Sequence, residues 1–296
     1  MRRIALLVVS TSALAGFSHA AYGADLGTMR PYAPYAPAAY ISPAPSWTGW
    51  YLGGNIGYAW GHARSNANVP GFSVDTGAPA GVIDIPGFSS SETSTLNSLT
   101  GGFQSGFNWQ VAPRWVLGVE ADFQRAAQKA SQGASDTFAS TVLLPDVGAG
   151  DCPCGVSGSS SLHYETELKW FGTLRGRAGY VANNLLFYGT GGLAYGQLQV
   201  NGRNSSNVTV TDDTAATVFT DTFASSFSKS QWKMGWTAGA GVEGMAWDPH
   251  WTWKAEYLYL DLGKAETSAG AAGGGTIKVS TKFTDHIARL GLNYRF

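Results

Sequence analysis

Seven of eight strand-like stretches of the chain alternate between apolar and polar residues with a period of two, and the eighth, residues 185–200, is apolar on both faces, so its facing is ambiguous. In one of the seven, Trp115, Leu117 and Val119 fall on one face, and Glu120 and Asp122 fall on the other. Successive side chains of a β-strand point to opposite faces, so this alternation predicts strands with one apolar and one polar face. We place the strands at residues 47–60, 99–110, 115–124, 165–180, 185–200, 231–247, 251–259 and 283–296.

The segments between these strands alternate in length. Tight turns are predicted at residues 112–114, 183–184 and 248–250, and long polar loops at 63–97, 128–163, 201–230 and 266–281. Transmembrane β-barrels of the bacterial outer membrane use short turns on the periplasmic side and long loops outside, with an even number of strands. A soluble β-sandwich gives no reason for strict alternation.

The polar faces carry ten ionisable side chains. They are Glu120, Asp122, Lys169, Arg175, Arg177, Glu243, Lys254, Glu256, Asp285 and Arg289. Unpaired charges in an apolar interior are costly, so these faces cannot form the core of a soluble barrel, whereas acids and bases can pair in a polar lumen. The apolar faces must then contact lipid, where the sheet has to close because lipid offers no hydrogen bonds to a free edge. We therefore predict an all-β fold, an eight-stranded antiparallel up-and-down transmembrane β-barrel.

Large aromatic residues gather near the two ends of the predicted strands. Near the periplasmic rim these are Trp50, Trp115, Trp251 and Trp253, and near the outer rim they are Trp236, Tyr257 and Tyr259. A membrane with two interfaces favours two belts of amphipathic rings. We predict that these residues form the aromatic girdle.

Composition agrees with a membrane setting. Glycine occurs 39 times and tryptophan 11 times, and charged residues make up 13% of the chain, about half the usual share. The net charge is −1 and the sequence has no basic run, so nucleic acid is not an expected partner.

The N-terminus has the pattern of a secretory signal. Arg2 and Arg3 precede an apolar run from residue 4 to 17, and small residues offer cleavage after Ala20 or after Gly23. Residues 24–46 are rich in Pro, Ala and Tyr, which predicts an extended periplasmic linker, with peptidoglycan as a candidate contact. The barrel domain is predicted at residues 47–296.

The two cysteines lie in a single Cys-Pro-Cys sequence at Cys152 and Cys154. An exported protein can oxidise them, so a local disulfide and a free pair both stay open. A metal site would need more ligands nearby than Asp151.

Every predicted strand carries a stretch that resembles one family. The stretches are WTGWYLGGNIGYAWG, GGFQSGFNWQ, WVLGVEADF, KWFGTLRGRAGY, YGTGGLAYG, GWTAGAGVEGMAW, WKAEYLYLDLG and RLGLNYRF. They resemble the small outer-membrane immunogenic-protein, or porin-like, β-barrels of Gram-negative bacteria, which are related to OmpA-type eight-stranded barrels. The long linker and the Cys-Pro-Cys segment depart from that pattern.

The resemblance implies several properties of this chain. It implies an outer-membrane location with surface exposure. Ala24-Asp25-Leu26 is similar to the mature start in that family, which favours cleavage after Gly23. Tyr294 and Phe296 resemble the signal that the barrel-assembly machinery reads. Some relatives are called porins and some are reported to bind haem.

Three functions remain open at this point. The balance of five acids and five bases favours a structural envelope protein whose lumen is filled by charged side chains. Five small inner residues would instead suit a small-solute porin: Gly106, Gly118, Gly179, Gly239 and Gly291. His62 and His163 near the outer mouth leave a haem-like receptor or a membrane enzyme as a further alternative. We expect no enzymatic activity and no cofactor or metal, with outer-membrane lipid, lipopolysaccharide and the assembly machinery as partners.

Overall fold

The computed structural model describes residues 46–75, 82–144, 152–211, 216–271 and 273–296. The predicted signal peptide and residues 24–45 of the predicted linker lie outside the described residues, so both stay predictions. Within the described ranges, no helix is long and apolar enough to cross a membrane.

Ten strands form in the described part of the chain. They are β1 (Gly49–Val69), β2 (Phe72–Asp75), β3 (Val82–Ile85), β4 (Phe88–Ala112), β5 (Trp115–Leu144), β6 (Cys152–Ala182), β7 (Leu185–Thr211), β8 (Thr217–Met245), β9 (Trp251–Gly270) and β10 (Thr276–Arg295). Eight of them close into a barrel in the order β1-β10-β9-β8-β7-β6-β5-β4, and β2 pairs with β3 in a separate hairpin. Neighbouring barrel strands are antiparallel. The predicted eight-stranded antiparallel up-and-down barrel is confirmed.

The barrel strands are much longer than the sequence pattern indicated. The four predicted loops at 63–97, 128–163, 201–230 and 266–281 are largely strand, and this part of the prediction was wrong. β5 alone has 30 residues, which is about 100 Å of strand at roughly 3.3 Å per residue. Even a strongly tilted strand of that length far exceeds the roughly 30 Å hydrocarbon core. A large part of the barrel therefore stands in water.

Apolar residues point outward in the membrane part of a barrel strand and inward in its outer extension. In the membrane part of β1, Leu52 and Ile56 point outward and are exposed. Farther along the same strand, Ala63, Ala67 and Val69 are buried inside the barrel, and the alternate residues Arg64, Asn66 and Asn68 are exposed. The outer part of the barrel thus has an apolar core of its own, although the sheet is not closed there: β4–β5 pairing ends at the Thr100–Ala126 pair and β8–β9 pairing ends at the Trp236–Asp261 pair. The outer extensions therefore form two four-stranded sheets, β4-β1-β10-β9 and β5-β6-β7-β8.

The core of the outer part of the barrel consists of two apolar clusters. One contains Leu162, Tyr164, Ile277 and Val279 together with residues of β1. The outermost one joins Ile83 and Ile85 of the β2–β3 hairpin to Val156, Val208 and Cys154. The hairpin therefore packs across the outer end of the barrel. Cys154, in the same cluster, is disulfide-bonded.

At the opposite end the strands are joined by short turns, as predicted. The β6–β7 turn consists of Asn183 and Asn184, and Asn183 has a φ of 55°. Two-residue hairpins favour residues that tolerate positive φ, and asparagine is one of them. By the usual rule for bacterial barrels, this end faces the periplasm.

A β-bulge changes the position of one predicted luminal residue. The register of β6 shifts between Leu168 and Trp170, and Lys169 is the extra residue. Lys169 is exposed on the outer surface, in a groove with Phe123 and Arg125. The prediction that Lys169 lines the lumen was wrong, because the extra residue in a bulge interrupts the strict alternation of inward and outward side chains.

Candidate functional site

Four acids and four bases fill the lumen of the membrane-embedded part. These are Glu120, Asp122, Glu243, Glu256, Arg175, Arg177, Lys254 and Arg289, and all eight are buried. They form what we call the luminal charge network. The alternation of each strand sends these side chains inward, and the barrel brings together residues that are distant in sequence.

The register of neighbouring strands sets opposite charges directly across from each other. Glu120 lies opposite Arg175, Glu243 lies opposite Lys254, and Glu256 lies opposite Arg289. Cross-strand pairs of opposite charge stabilise a sheet. The period-two pattern and the register together therefore explain most of the network.

Glu120 is the centre of the network. Its carboxylate accepts hydrogen bonds from Lys254 Nζ at 2.8 and 2.9 Å and from the Tyr51 hydroxyl at 2.6 Å. It also forms an ion pair with Arg175. One carboxylate therefore links β1, β5, β6 and β9.

Two arginines connect the same two acids on opposite sides of the lumen. Arg175 lies 3.0 Å from Asp122 and 3.0 Å from Glu256. Arg289 donates to Asp122 at 2.9 Å and to Glu256 at 2.7 Å. Positive and negative groups thus alternate around a ring. Removing a single member of a buried ion pair leaves its partner uncompensated and typically costs about 3–5 kcal/mol.

The periplasmic half of the network is built around Arg177. Its guanidinium donates to Glu243 at 2.8 Å and lies 3.9 Å from the centre of the Tyr188 ring, a distance that suits a cation–π contact. Glu243 also accepts a hydrogen bond from Thr252 at 2.6 Å. Every one of these groups is buried or nearly so.

A short segment before β1 forms a floor under the network. The Trp47 side chain is 2% exposed, and its backbone N–H donates to the Gln110 side chain at 2.9 Å. The Arg295 guanidinium lies 5.2 Å from the Trp47 ring centre and donates to the Ser46 carbonyl. Trp47 packs with Val116 and residues of β7 in one apolar cluster.

An apolar layer lies inside the barrel on the outer side of the network. Its large members are Leu96, Leu168, Phe171, Leu198, Leu258, Leu260, Leu262, Phe283 and Ile287. Asp285, the remaining predicted luminal acid, belongs to this level and not to the ring. It is buried and accepts a hydrogen bond from Gln128 at 2.8 Å.

Several members of the site escaped sequence reasoning. Tyr51, Tyr188 and Thr252 contribute hydrogen bonds to the network. Gln104 and Asn293 bond to each other at 2.6 Å. These polar residues share the luminal face with the charged ones, so the period-two pattern could have indicated them. A search for ionisable residues alone passes over them.

The predicted girdle residues all lie on the outer surface. Trp50, Trp115, Trp236, Trp253 and Tyr257 are exposed, and Trp251 and Tyr259 are partly exposed. Tyr294 and Phe296 also face outward, with ring centres 5.2 Å apart. The role of these two residues in assembly stays a prediction.

The two candidate histidines do not converge. His62 lies on β1 and His163 on β6, with β4 and β5 between them. Among the residues that the structure describes, no three His, Cys, Asp or Glu side chains come together as metal ligands.

Comparison with known proteins agrees with this architecture. Residues 4–296 match the family model described as the outer membrane protein beta-barrel domain. The 31 kDa outer-membrane immunogenic protein of Brucella melitensis is 36% identical over 98% of this chain and 99% of its own length. The 22 kDa outer membrane protein of Rhizobium leguminosarum bv. viciae is 29% identical, with 99% and 98% covered. The crystal structure of Ail, the attachment invasion locus protein of Yersinia pestis, is 15% identical and covers 80% of this chain and 98% of its own, with a TM-score of 0.25.

Proposed function

The chain belongs to the outer-membrane β-barrel family and lies in the outer membrane, and from that premise we propose that it is a closed structural barrel. It contributes to envelope integrity and presents its long outer hairpins at the cell surface. It does not conduct solutes. This proposal rests above all on one observation, the luminal charge network in which acids and bases are paired across the whole width of the barrel.

The size of the barrel supports this proposal. An eight-stranded barrel has an interior just wide enough for side chains to fill. Here three levels fill it: the Trp47 floor, the network, and the apolar layer that contains Leu260 and Phe283. A solute would have to displace paired charges and then cross an apolar constriction.

The small inner residues do not favour the porin alternative. A Cβ atom added to Gly118 would lie 2.6 Å from Asn108 Oδ1, and one added to Gly179 would lie 2.7 Å from Leu186 Cδ1. A Cβ added to Gly106 would overlap the Tyr51 hydroxyl. Neighbouring side chains therefore occupy the space that these glycines leave.

Planar-bilayer recording of the refolded full chain tests the proposal. We expect no stable conductance steps above those of a mock-refolded sample without protein. Liposome swelling with small sugars should likewise equal the value for heat-denatured protein. Large, reproducible channels or measurable swelling would contradict a closed barrel and would favour the small-solute porin. The expectation of no enzymatic activity stays a prediction.

A further inference from the structure

The outer surface of four neighbouring strands changes its chemistry in regular steps away from the membrane. On β4, β1, β10 and β9, outward residues at one height stand directly opposite each other. An aromatic row comes first, then a polar row, then a basic row. The aromatic row is Trp60, His286 and Tyr259, the polar row is Thr95, His62, Thr284 and Asp261, and the basic row is Thr93, Arg64, Lys282 and Lys264.

The basic row places three cations on three adjacent strands. Arg64 lies opposite Lys282, and Lys282 lies opposite Lys264. Neighbouring strands are about 4.8 Å apart, and like charges directly opposite each other destabilise a sheet. An anion bound across the row would relieve this repulsion.

Nearby acids compensate the basic row only in part. Lys282 Nζ lies 3.6 Å from Asp261 in the polar row. Glu266 lies on β9 two residues beyond Lys264, opposite Ser280. Within the described residues, neither Arg64 nor Lys264 has an ion-pair partner. The row therefore keeps a positive excess that faces outward.

A bulge turns Lys264 to this surface. Leu260 and Leu262 are buried inside the barrel, so strict alternation would also send residue 264 inward. Gly263 has a φ of 71°, and the β9–β10 register shifts beside it, between Lys282 and Thr284. Glycine adopts positive φ without steric cost. The bulge thus adds the third cation to the row.

The height of the row matches the polar layer of a membrane. Aromatic belts lie at the level of the lipid headgroups. Arg64 is four residues beyond Trp60, which is about 13 Å along the strand and roughly 10 Å along the membrane normal for a strand tilted by 35–45°. Long basic side chains at this height reach the phosphates of the headgroups.

A groove at this position supplies the remaining groups for a phosphate. It has a volume of about 500 Å³ and is lined by His62, Arg64, Thr93, Tyr259, Lys282 and Thr284. Guanidinium groups bind phosphate with two parallel hydrogen bonds, and ammonium groups bind it as point charges. Hydroxyl groups donate further hydrogen bonds.

We propose that this groove binds the phosphate group of a lipid in the outer leaflet. The lipid is held with its phosphate across Arg64 and Lys282 and its acyl chains against the aromatic row below. This inference goes beyond the closed-barrel function and does not depend on the state of the lumen. It requires only the outer-membrane location.

The strands β7 and β8 provide a comparison within the same molecule. At a similar height, their outward residues include Gln197, Gln199, Ser228 and Ser230, which are uncharged. The exposed Lys229 lies at this height too, but it is opposite the inward-facing Val200. Arg203 on β7 is exposed, but it lies eight residues beyond the belt residue Tyr195, about 26 Å along the strand. Arg203 is therefore a cation too far from the headgroups to bind them.

The experiment measures lipid binding to the detergent-solubilised full chain by native mass spectrometry. The probes are lipid A with both phosphates, the same lipid without phosphates, and inorganic phosphate as a competitor. The variants are R64Q/K282Q, the charge-preserving R64K/K282R and the distant control R203Q. The mobility shift between unboiled and boiled protein verifies that each variant is folded.

We expect R64Q/K282Q to bind the phosphorylated lipid roughly 25-fold more weakly, since each of the two cations near a charged lipid surface contributes about a fivefold gain. R203Q should bind within twofold of the unmodified protein, and R64K/K282R should keep most of the affinity. The lipid without phosphates should bind weakly to all variants. Unchanged binding in R64Q/K282Q, an equal loss in R203Q, or full competition by inorganic phosphate at the concentration of the lipid would overturn the proposal.

Discussion

At the residue scale, the orientation of a lysine decides what its charge does. Lys254 is buried in the lumen, where its ammonium group donates to Glu120. Lys169 is exposed on the outer surface because of a bulge in β6. The two side chains are chemically identical, so their environments alone set their contributions to stability.

Lys-to-Met substitution at the two positions should therefore have very different effects. K254M should lower the free energy of unfolding by about 3–5 kcal/mol, because it leaves the buried Glu120 carboxylate with less compensation. K169M should change it by less than about 0.5 kcal/mol, as surface substitutions usually do. Urea unfolding in lipid vesicles, followed by tryptophan fluorescence, measures both. Similar losses for the two variants would contradict the placement of Lys169.

At the element scale, close strand packing depends on where the glycines of β7 point. Gly192 lies opposite Arg175, and a Cβ added there would overlap the Leu174 carbonyl and lie 2.7 Å from the Arg175 Cα. Gly191 faces outward, and its nearest contact for an added Cβ is a backbone oxygen at 3.7 Å. Adjacent glycines in one strand thus have different tolerance for a side chain.

We expect G192A to destabilise the barrel by about 1–3 kcal/mol, the usual cost of overpacking. G191A should be neutral or slightly stabilising, because glycine in a strand interior carries an entropic cost. The fraction of protein that migrates as the folded form in unboiled samples, measured across a urea series, separates the two. Equal behaviour of G191A and G192A would show that inward packing at this position is loose.

The element scale also shows what the sequence could predict. The apolar and polar alternation located the membrane-embedded core of seven barrel strands, because lipid requires one continuous apolar face, whereas the stretch at 185–200 in β7 is apolar on both faces, so its facing is ambiguous. The alternation did not locate the outer extensions. Residues such as Ser205, Ser206 and Asn207 are polar on both faces of β7, and backbone pairing with β6 and β8 extends the strand through them.

The candidate site was predictable to a similar degree. Nine of the ten predicted charged residues point inward, since period-two alternation fixes the facing within an uninterrupted strand. The exception, Lys169, lies at a bulge, which no local pattern marked. Asp285 points inward but lies apart from the ring, because its height along the barrel depends on strand register. Register comes from pairing across the whole sheet and is absent from the alternation of one strand.

At the scale of the whole molecule, the proposed closed lumen depends on two layers of different chemistry. The network fills one level with paired charges, and the layer with Leu260 and Phe283 fills another with apolar side chains. On the proposed function, each layer is a barrier by itself. Loss of one should therefore leave the other intact.

Opening the barrel should require changes in both layers. We expect E120A/R175A to stay non-conducting, because the apolar layer still excludes ions, and L260A/F283A to stay non-conducting, because the network remains. The four substitutions together should produce conductance in planar bilayers. If either pair conducts as well as the four-fold variant, the two layers are not independent barriers.

The inverted facing of the strands has a consequence for how the protein sits in its bilayer. Raising the barrel along its axis would lift Ile56 and Trp60 toward water, and lowering it would draw Arg64 and Lys282 toward hydrocarbon. Both displacements cost free energy, so the free energy of the protein in the bilayer rises steeply on either side of one preferred vertical position. The distance between the two aromatic belts then acts as a molecular ruler for hydrocarbon thickness. A bilayer thicker or thinner than this ruler must adapt to the protein, since the paired strands of a closed sheet cannot shorten.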